Sequence, residues 1–197
     1  MGKAVPPDTG ESAKGMRADA RRNRDRVLET AIEVFATEGL SVPVHEIARR
    51  AGVGTGTVSR HFPTKEALYE AIVLRRVERI MERAAPLAES DDPGAAFFEY
   101  LAVLVEEGAV NRGLAEALAG VDFDMDGAAK RAGYDIGDLE RRLLVRAQQA
   151  GAVRPEVEAA DVKGLIVGCL ARERDGADPD ARGRMIRVVS DGLRAPQ

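Results

Sequence analysis

The chain has 197 residues, enough for one medium domain or two small ones, and 45% of them are apolar, enough to build a sizeable core. Its 29 basic and 33 acidic side chains leave a net charge of −4, which argues against indiscriminate affinity for nucleic acid. With no Trp, a single cysteine (Cys169) and no apolar run near the ~20 residues of a membrane span, aliphatic packing must hold the core, and neither an internal disulfide nor a spanning helix is expected.

Residues 1–17 hold Pro6, Pro7, Gly10 and Gly15 among polar residues with no apolar period, and are expected to form a disordered tail. The same stretch lacks the apolar core of a secretory signal, so the expected location is cytoplasmic. Its basic end, Arg17 to Arg26, reads equally well as an arm against DNA or as the solvated start of a helix. A helix is predicted from about Ala18 to Glu38, with Leu28, Ala31, Ile32 and Phe35 on one buried face. Gly39 stands where a C-terminal cap glycine belongs.

The next stretch, Val44 to Glu66, reads VHEIARRAGVGTGTVSRHFPTKE. Pro43 suits the first turn of a short helix running to about Ala51, although Val42 before it is a poor N-cap. A second short helix spans about Thr55 to His61. Pro63 then breaks the chain, and Thr64 is a good N-cap for a long helix from Lys65 to about Ala84. Ala48, Gly52 and Val58 meet the needs of a helix-turn-helix: a small residue at the crossing, a residue tolerant of positive φ in the turn, and an apolar anchor on the second helix. The other face of that second helix is then available to a DNA major groove. The charge agrees in direction: residues 17–84 hold 13 basic and 10 acidic side chains, and residues 85–197 hold 14 and 21.

Pro86 and the segment Glu89–Gly94 mark the next boundary. Further helices are predicted at about 94–108, 111–119, 136–150, 159–173 and 178–194, with residues 120–135 either loop or partial helix and no convincing strand anywhere. The last two helices have broad apolar faces: Val162, Leu165, Ile166 and Cys169 on the first, and Ala181, Met185, Val188, Val189 and Gly192 on the second. Two such helices can pair with their symmetry copies in a four-helix dimer interface, or complete the core of one chain.

Across Arg24 to Ile72, in VLETAIEVFATEGL and EIARRAGVGTGTVSRHFPTKEALYEAI, the pattern resembles the TetR family of bacterial transcriptional regulators. The IARRAGV turn, the recognition helix ending in HF, and the FPTKEAL boundary are its most specific parts. Asn111 to Gly120 also looks like a segment found in one actinobacterial branch of that family. The resemblance implies an all-α homodimer: a three-helix helix-turn-helix domain over 18–64, and a helical effector-binding and dimerisation domain over 65–197. Its partners would be a double-stranded palindromic operator and a small-molecule effector, with no cofactor, metal or membrane. DNA contacts would fall to His45, Thr55, Gly56, Thr57, Ser59, Arg60, His61 and Lys65. Thr57 and Arg60 are the candidates for base contact, Gly56 for close backbone approach, and His61 and Lys65 for phosphates. Ser59 stands where the family often has Tyr, and His45 where it often has Arg, so operator preference cannot be borrowed from relatives. An effector pocket would draw on Phe97, Tyr100, Leu101, Leu104, Phe123, Met125, Tyr134 and Leu144, most of which also suit a plain core.

Other constellations are weaker. Asp122, Asp124, Asp126 and Gly127 open like a calcium loop, but Gly133 stands where the bidentate Glu belongs. Gly52, Gly54 and Gly56 follow a helix rather than the strand a nucleotide loop requires. His45 and His61 have no cysteine near them to complete a metal set, and no catalytic triad or carboxylate pair is legible. The expectation is a regulator, a repressor in action, and not an enzyme. A dimeric DNA-binding protein without an effector, and a helical enzyme or metal-binding protein, are the competing readings.

Overall fold

The computed structural model describes residues 9–110, 124–172 and 178–196. Among these residues every regular element is helical, apart from one isolated antiparallel bridge between Val153 and Arg194. In chain order the helices are α1 (Thr9–Glu38), α2 (Val44–Arg50), α3 (Thr55–His61), α4 (Lys65–Ala84), a 3-10 turn (Ala85–Glu89), α5 (Pro93–Val110), α6 (Met125–Arg131), α7 (Ile136–Gln149), α8 (Ala159–Ala171) and α9 (Pro179–Leu193).

Two expectations need correction. α1 begins at Thr9, so residues 9–17 are helical rather than part of a disordered tail. Ser12 to Lys14 and Met16 to Ala20 are adequate helix formers, Gly10 falls in the first turn, and Gly15 further in costs only about 1 kcal/mol against Ala. The second concerns the domain boundary. The chain divides into Met1–Ile72 and Val73–Gln197, inside α4 rather than ahead of it. The first two turns of α4 belong with the N-terminal helices because Leu68, Tyr69 and Ile72 are buried there. The expected helix at 111–119, with the Asn111 to Gly120 segment, lies outside the described residues.

In the first unit, Val27, Leu28, Ala31, Val34 and Phe35 of α1 form the floor, with Ile32 half-buried beside them. Ile47, Ala48, Val58, Phe62 and Leu68 are buried with them. Phe35 meets Tyr69 edge-on at 5.5 Å between ring centroids. Each such large side chain contributes about 1.5–3 kcal/mol by leaving water. Glu38, at the end of α1, pairs with Arg50, whose Nε also reaches Glu46 at 2.8 Å, so α1 and α2 are tied where they meet. In the basic segment Arg22 pairs with Asp19, Arg26 with Asn23, and Arg24 lies 5.6 Å over the Phe62 ring.

In the second unit, α5 is the central helix and packs against α7, α8, α9 and the 3-10 turn. Phe97, Tyr100 and Leu101 are fully buried among Leu139, Leu143, Leu144, Ala147, Val162 and Leu193. Arg146 fastens α7 to the 3-10 turn by donating to the carbonyls of Ala88 and, at 2.7 Å, Ser90. The chain end is stitched back by Arg154 N–H to Leu193 O (3.0 Å) and Ala195 N–H to Ala152 O (3.1 Å).

Candidate nucleic-acid interface and ligand cavity

The turn between α2 and α3 is built by Gly52, whose φ of +65° lies in the left-handed region. Gly39 does the same at the end of α1, with φ +82°. Ala48 and Val58 are each only 1% exposed, at the crossing and at the anchor, as their spacing requires. With Val58 turned inward, the opposite side of α3 faces solvent. Gly56 and Arg60, an i, i+4 pair, lie on that side, Thr55 and Ser59 lie between it and Val58, and all four are exposed. A Cβ added to Gly56 meets nothing within 4 Å, so the backbone there is open to close approach. His45 is exposed on α2, while Thr57 and His61 are half-buried.

Lys65 has partners within the chain. Its ammonium donates to the Leu40 carbonyl and lies 6.0 Å over the Phe35 ring, so it closes the α1–α2 loop onto α4 rather than pointing outward. Thr64 caps α4 as expected, its hydroxyl accepting from Ala67 N–H at 3.1 Å. α2 has no side-chain cap; Pro43 occupies the cap position, and Glu46 in the first turn compensates the exposed N–H groups. Arg49 and Arg50 hold the Glu46 carboxyl down at about 2.

The second unit contains a cavity of about 420 Å³. Leu104 and Tyr134 line it, as expected of pocket residues. Phe97, Tyr100, Leu101 and Leu144 do not; they are core, because α5 is covered on several sides and its largest side chains fill the centre. Phe123 lies outside the described residues, and Met125 is the first residue of α6. Asp124, from the acidic run, caps that helix, accepting from Gly127 N–H at 2.8 Å. The charged lining is Arg76, Lys130, Asp135, Glu140 and Lys163, none of which sequence reasoning singled out. Arg76 had a visible signal: it falls between Ile72 and Ile80 in the i, i+4 row of α4, a cation in an apolar stripe. Burial pushes its guanidinium below the ordinary value, with Glu107 opposing.

The expected dimer residues divide in the same way. Val162 and Cys169 are buried within the chain, and burial pushes the Cys169 thiol up. Leu165, Ile166 and Val189 pack partly against the core, Met185 is half-buried, and only Val188 is strongly exposed, at 67%. The open side of α8 instead carries Gly164, Val167, Gly168 and Ala171 at helical spacing.

A buried anchor, a positive-φ glycine and a short helix with one open polar face define a helix-turn-helix protein. Residues 27–72 match the family model described as bacterial regulatory proteins of the TetR family. Residues 92–195 match the C-terminal domain of SbtR-like transcriptional regulators. A TetR transcription regulatory protein from Mycobacterium vanbaalenii is 45% identical, with 91% of this chain and 99% of that one covered and a TM-score of 0.67. A TetR transcriptional regulator from Streptomyces coelicolor is 30% identical, with 88% and 99% covered and a TM-score of 0.66. The transcriptional regulator UidR of Escherichia coli K12 is 29% identical over 160 residues, 77% of this chain and 80% of that one. The chain belongs to the TetR family of bacterial transcriptional regulators. It is therefore a regulator and not an enzyme. Among the described residues no helix is long and apolar enough to cross a membrane.

Proposed function

We propose that this regulator is a repressor that binds a palindromic operator as a homodimer and is released by a small molecule. The observation that carries the DNA-binding half is the solvent-open surface of α3, where Gly56 and Arg60 stand opposite the buried Val58 and Thr55 and Ser59 are exposed beside them. Thr57 and His45 flank that face. Arg60 takes the base-reading role, since a guanidinium can bind guanine bidentately. One such helix reads few base pairs, so two copies about 34 Å apart are needed for a specific site. The copies meet through the open sides of α8 and α9, at Gly164, Val167, Gly168 and Val188. α4 runs through both units, which makes it the link between the cavity and the DNA-reading helices. A ligand at the cavity moves the DNA affinity by no more than its own preference for one of the two states.

The test is selection from random-sequence DNA, followed by salt titration on the enriched site. A palindrome is expected; the absence of enrichment would refute the proposal. Arg60→Ala should relax preference at one base position and cost about 1–3 kcal/mol there. Lys65→Met should behave differently from an ordinary phosphate contact. It should lower the melting temperature, because the tie to Leu40 is lost, while leaving the salt dependence of binding unchanged.

A further inference from the structure

The cavity of the second unit is more particular than an apolar hollow. Its walls include Ile80, Leu104, Ile136, Ile166 and Leu170, an aliphatic surface for the body of a ligand. Its volume, about 420 Å³, falls within the ~300–1,000 Å³ of small-molecule sites. Gly108 lets α5 approach the wall closely, since a Cβ there would lie 2.7 Å from Leu170 Cδ1.

The polar groups are unequally satisfied. Asp135 is exposed and already caps α7, accepting from Asp138 N–H at 2.9 Å. Glu140 accepts from the Tyr100 hydroxyl at 3.3 Å, and burial lifts its carboxyl above the ordinary range, toward the neutral form. Lys130 and Lys163 are exposed. Arg76 is the exception: its Nε is buried with no hydrogen-bond partner among the described residues. Glu107, the acid whose charge acts on it, also pairs with Arg79 at 3.6 Å and Arg83 at 3.2 Å, so its carboxylate is divided among several guanidiniums. A buried donor left unmade carries a desolvation penalty that a ligand acceptor removes. Tyr134, on the same lining, carries a hydroxyl able to donate.

We propose that the cavity binds a small monoanionic carboxylate with an apolar body, its acid group held by Arg76 and its body by the aliphatic wall. Lys130 and Lys163 favour the approach of an anion, and Asp135 disfavours a second negative charge. This rests on reading the cavity as the effector site, and it specifies the chemistry of that effector.

The test uses three ten-carbon probes that differ in charge at the head: decanoate, decanamide and decylamine. Each is titrated by calorimetry into the full-length protein without DNA. Decanoate should bind at least about tenfold more tightly than decanamide, as a charge-assisted hydrogen bond requires, with decylamine weakest. Arg76→Gln should remove the preference for decanoate while leaving decanamide unchanged, and Arg76→Lys should keep part of it. The comparison on the unaltered protein stands even where the variants fold poorly. Equal or tighter binding of decanamide or decylamine overturns the proposal, as does silence with all three probes. So does a preference for decanoate that survives in a folded Arg76→Gln. Release from the selected operator is scored separately. Decanoate that binds as expected yet leaves the DNA complex intact upholds the ligand class and overturns release by that ligand. Decylamine that binds and releases DNA where decanoate does neither overturns the class and upholds release.

Discussion

Two glycines four residues apart in the DNA-reading motif serve opposite ends. Gly52 has φ +65°, a conformation that costs an L-residue about 1–2 kcal/mol, and the turn offers no other geometry between α2 and α3. Gly56 sits inside α3 in ordinary helical geometry with open space around it. Gly52→Ala should therefore destabilise the protein by about 1–2 kcal/mol in denaturant unfolding. Gly56→Ala should instead leave stability unchanged or raise it by up to about 1 kcal/mol, since Ala is the better helix former. On DNA the order reverses: the added methyl at Gly56 stands on the open face and should weaken operator binding without a loss of fold. A Gly56→Ala protein that binds DNA normally would remove Gly56 from the interface.

The elements legible in the sequence were those whose determinants are local. Gly39 and Gly52 end their helices in the left-handed region as their positions require, and Thr64 caps α4. The start of α1 was not legible, because Pro7, Gly10 and Gly15 read as breakers while the helix tolerates Gly10 and Gly15 within it. The division of apolar residues between core and cavity was also hidden. Helical spacing places Tyr100 and Leu104 on neighbouring parts of α5, but only the helices packed around α5 decide that the first is buried and the second lines a space. The tie between α1 and α2 likewise needs tertiary proximity, since Glu38 and Arg50 are far apart in sequence. Glu46, which shares Arg50 with that tie, gives this cluster a pH dependence. Hydrogen bonds from Arg49 and Arg50 lower the folded carboxyl from its ordinary 4.5 to about 2. A depressed carboxyl stabilises the fold above its unfolded value, and that contribution is lost as pH falls through the folded one. Thermal melts between pH 7 and pH 2 should show Glu46→Gln below the unaltered protein at neutral pH. The gap should close between about 4.5 and 2, where the unaltered carboxylate also becomes neutral. A gap independent of pH would mean that Glu46 acts by packing rather than by charge.

At the scale of the whole molecule, the two ends of the expected dimer face behave differently enough to separate assembly from folding. Val162 is completely buried in its own chain, so Val162→Ala should cost about 2 kcal/mol of stability while the copies stay together. Val188 is 67% exposed on α9, where α8 packs beside it with Gly164, Val167 and Gly168 open. Glycines on such a face let two backbones approach, and Val167 and Val188, 59% and 67% exposed, give it apolar surface for a second copy to cover. Val188→Glu places two like charges near the two-fold axis of the proposed dimer. Each chain should keep its helical circular dichroism, since an exposed substitution away from the core changes the stability of one chain by no more than about 0.5 kcal/mol. Sedimentation velocity should show a single-chain species, and operator affinity should fall because the two recognition helices are no longer coupled. If Val188→Glu still sediments as a dimer and binds the operator at full strength, the copies meet elsewhere. If Val162→Ala dissociates the dimer without loss of monomer stability, the buried side of α8 rather than its open side holds the copies together.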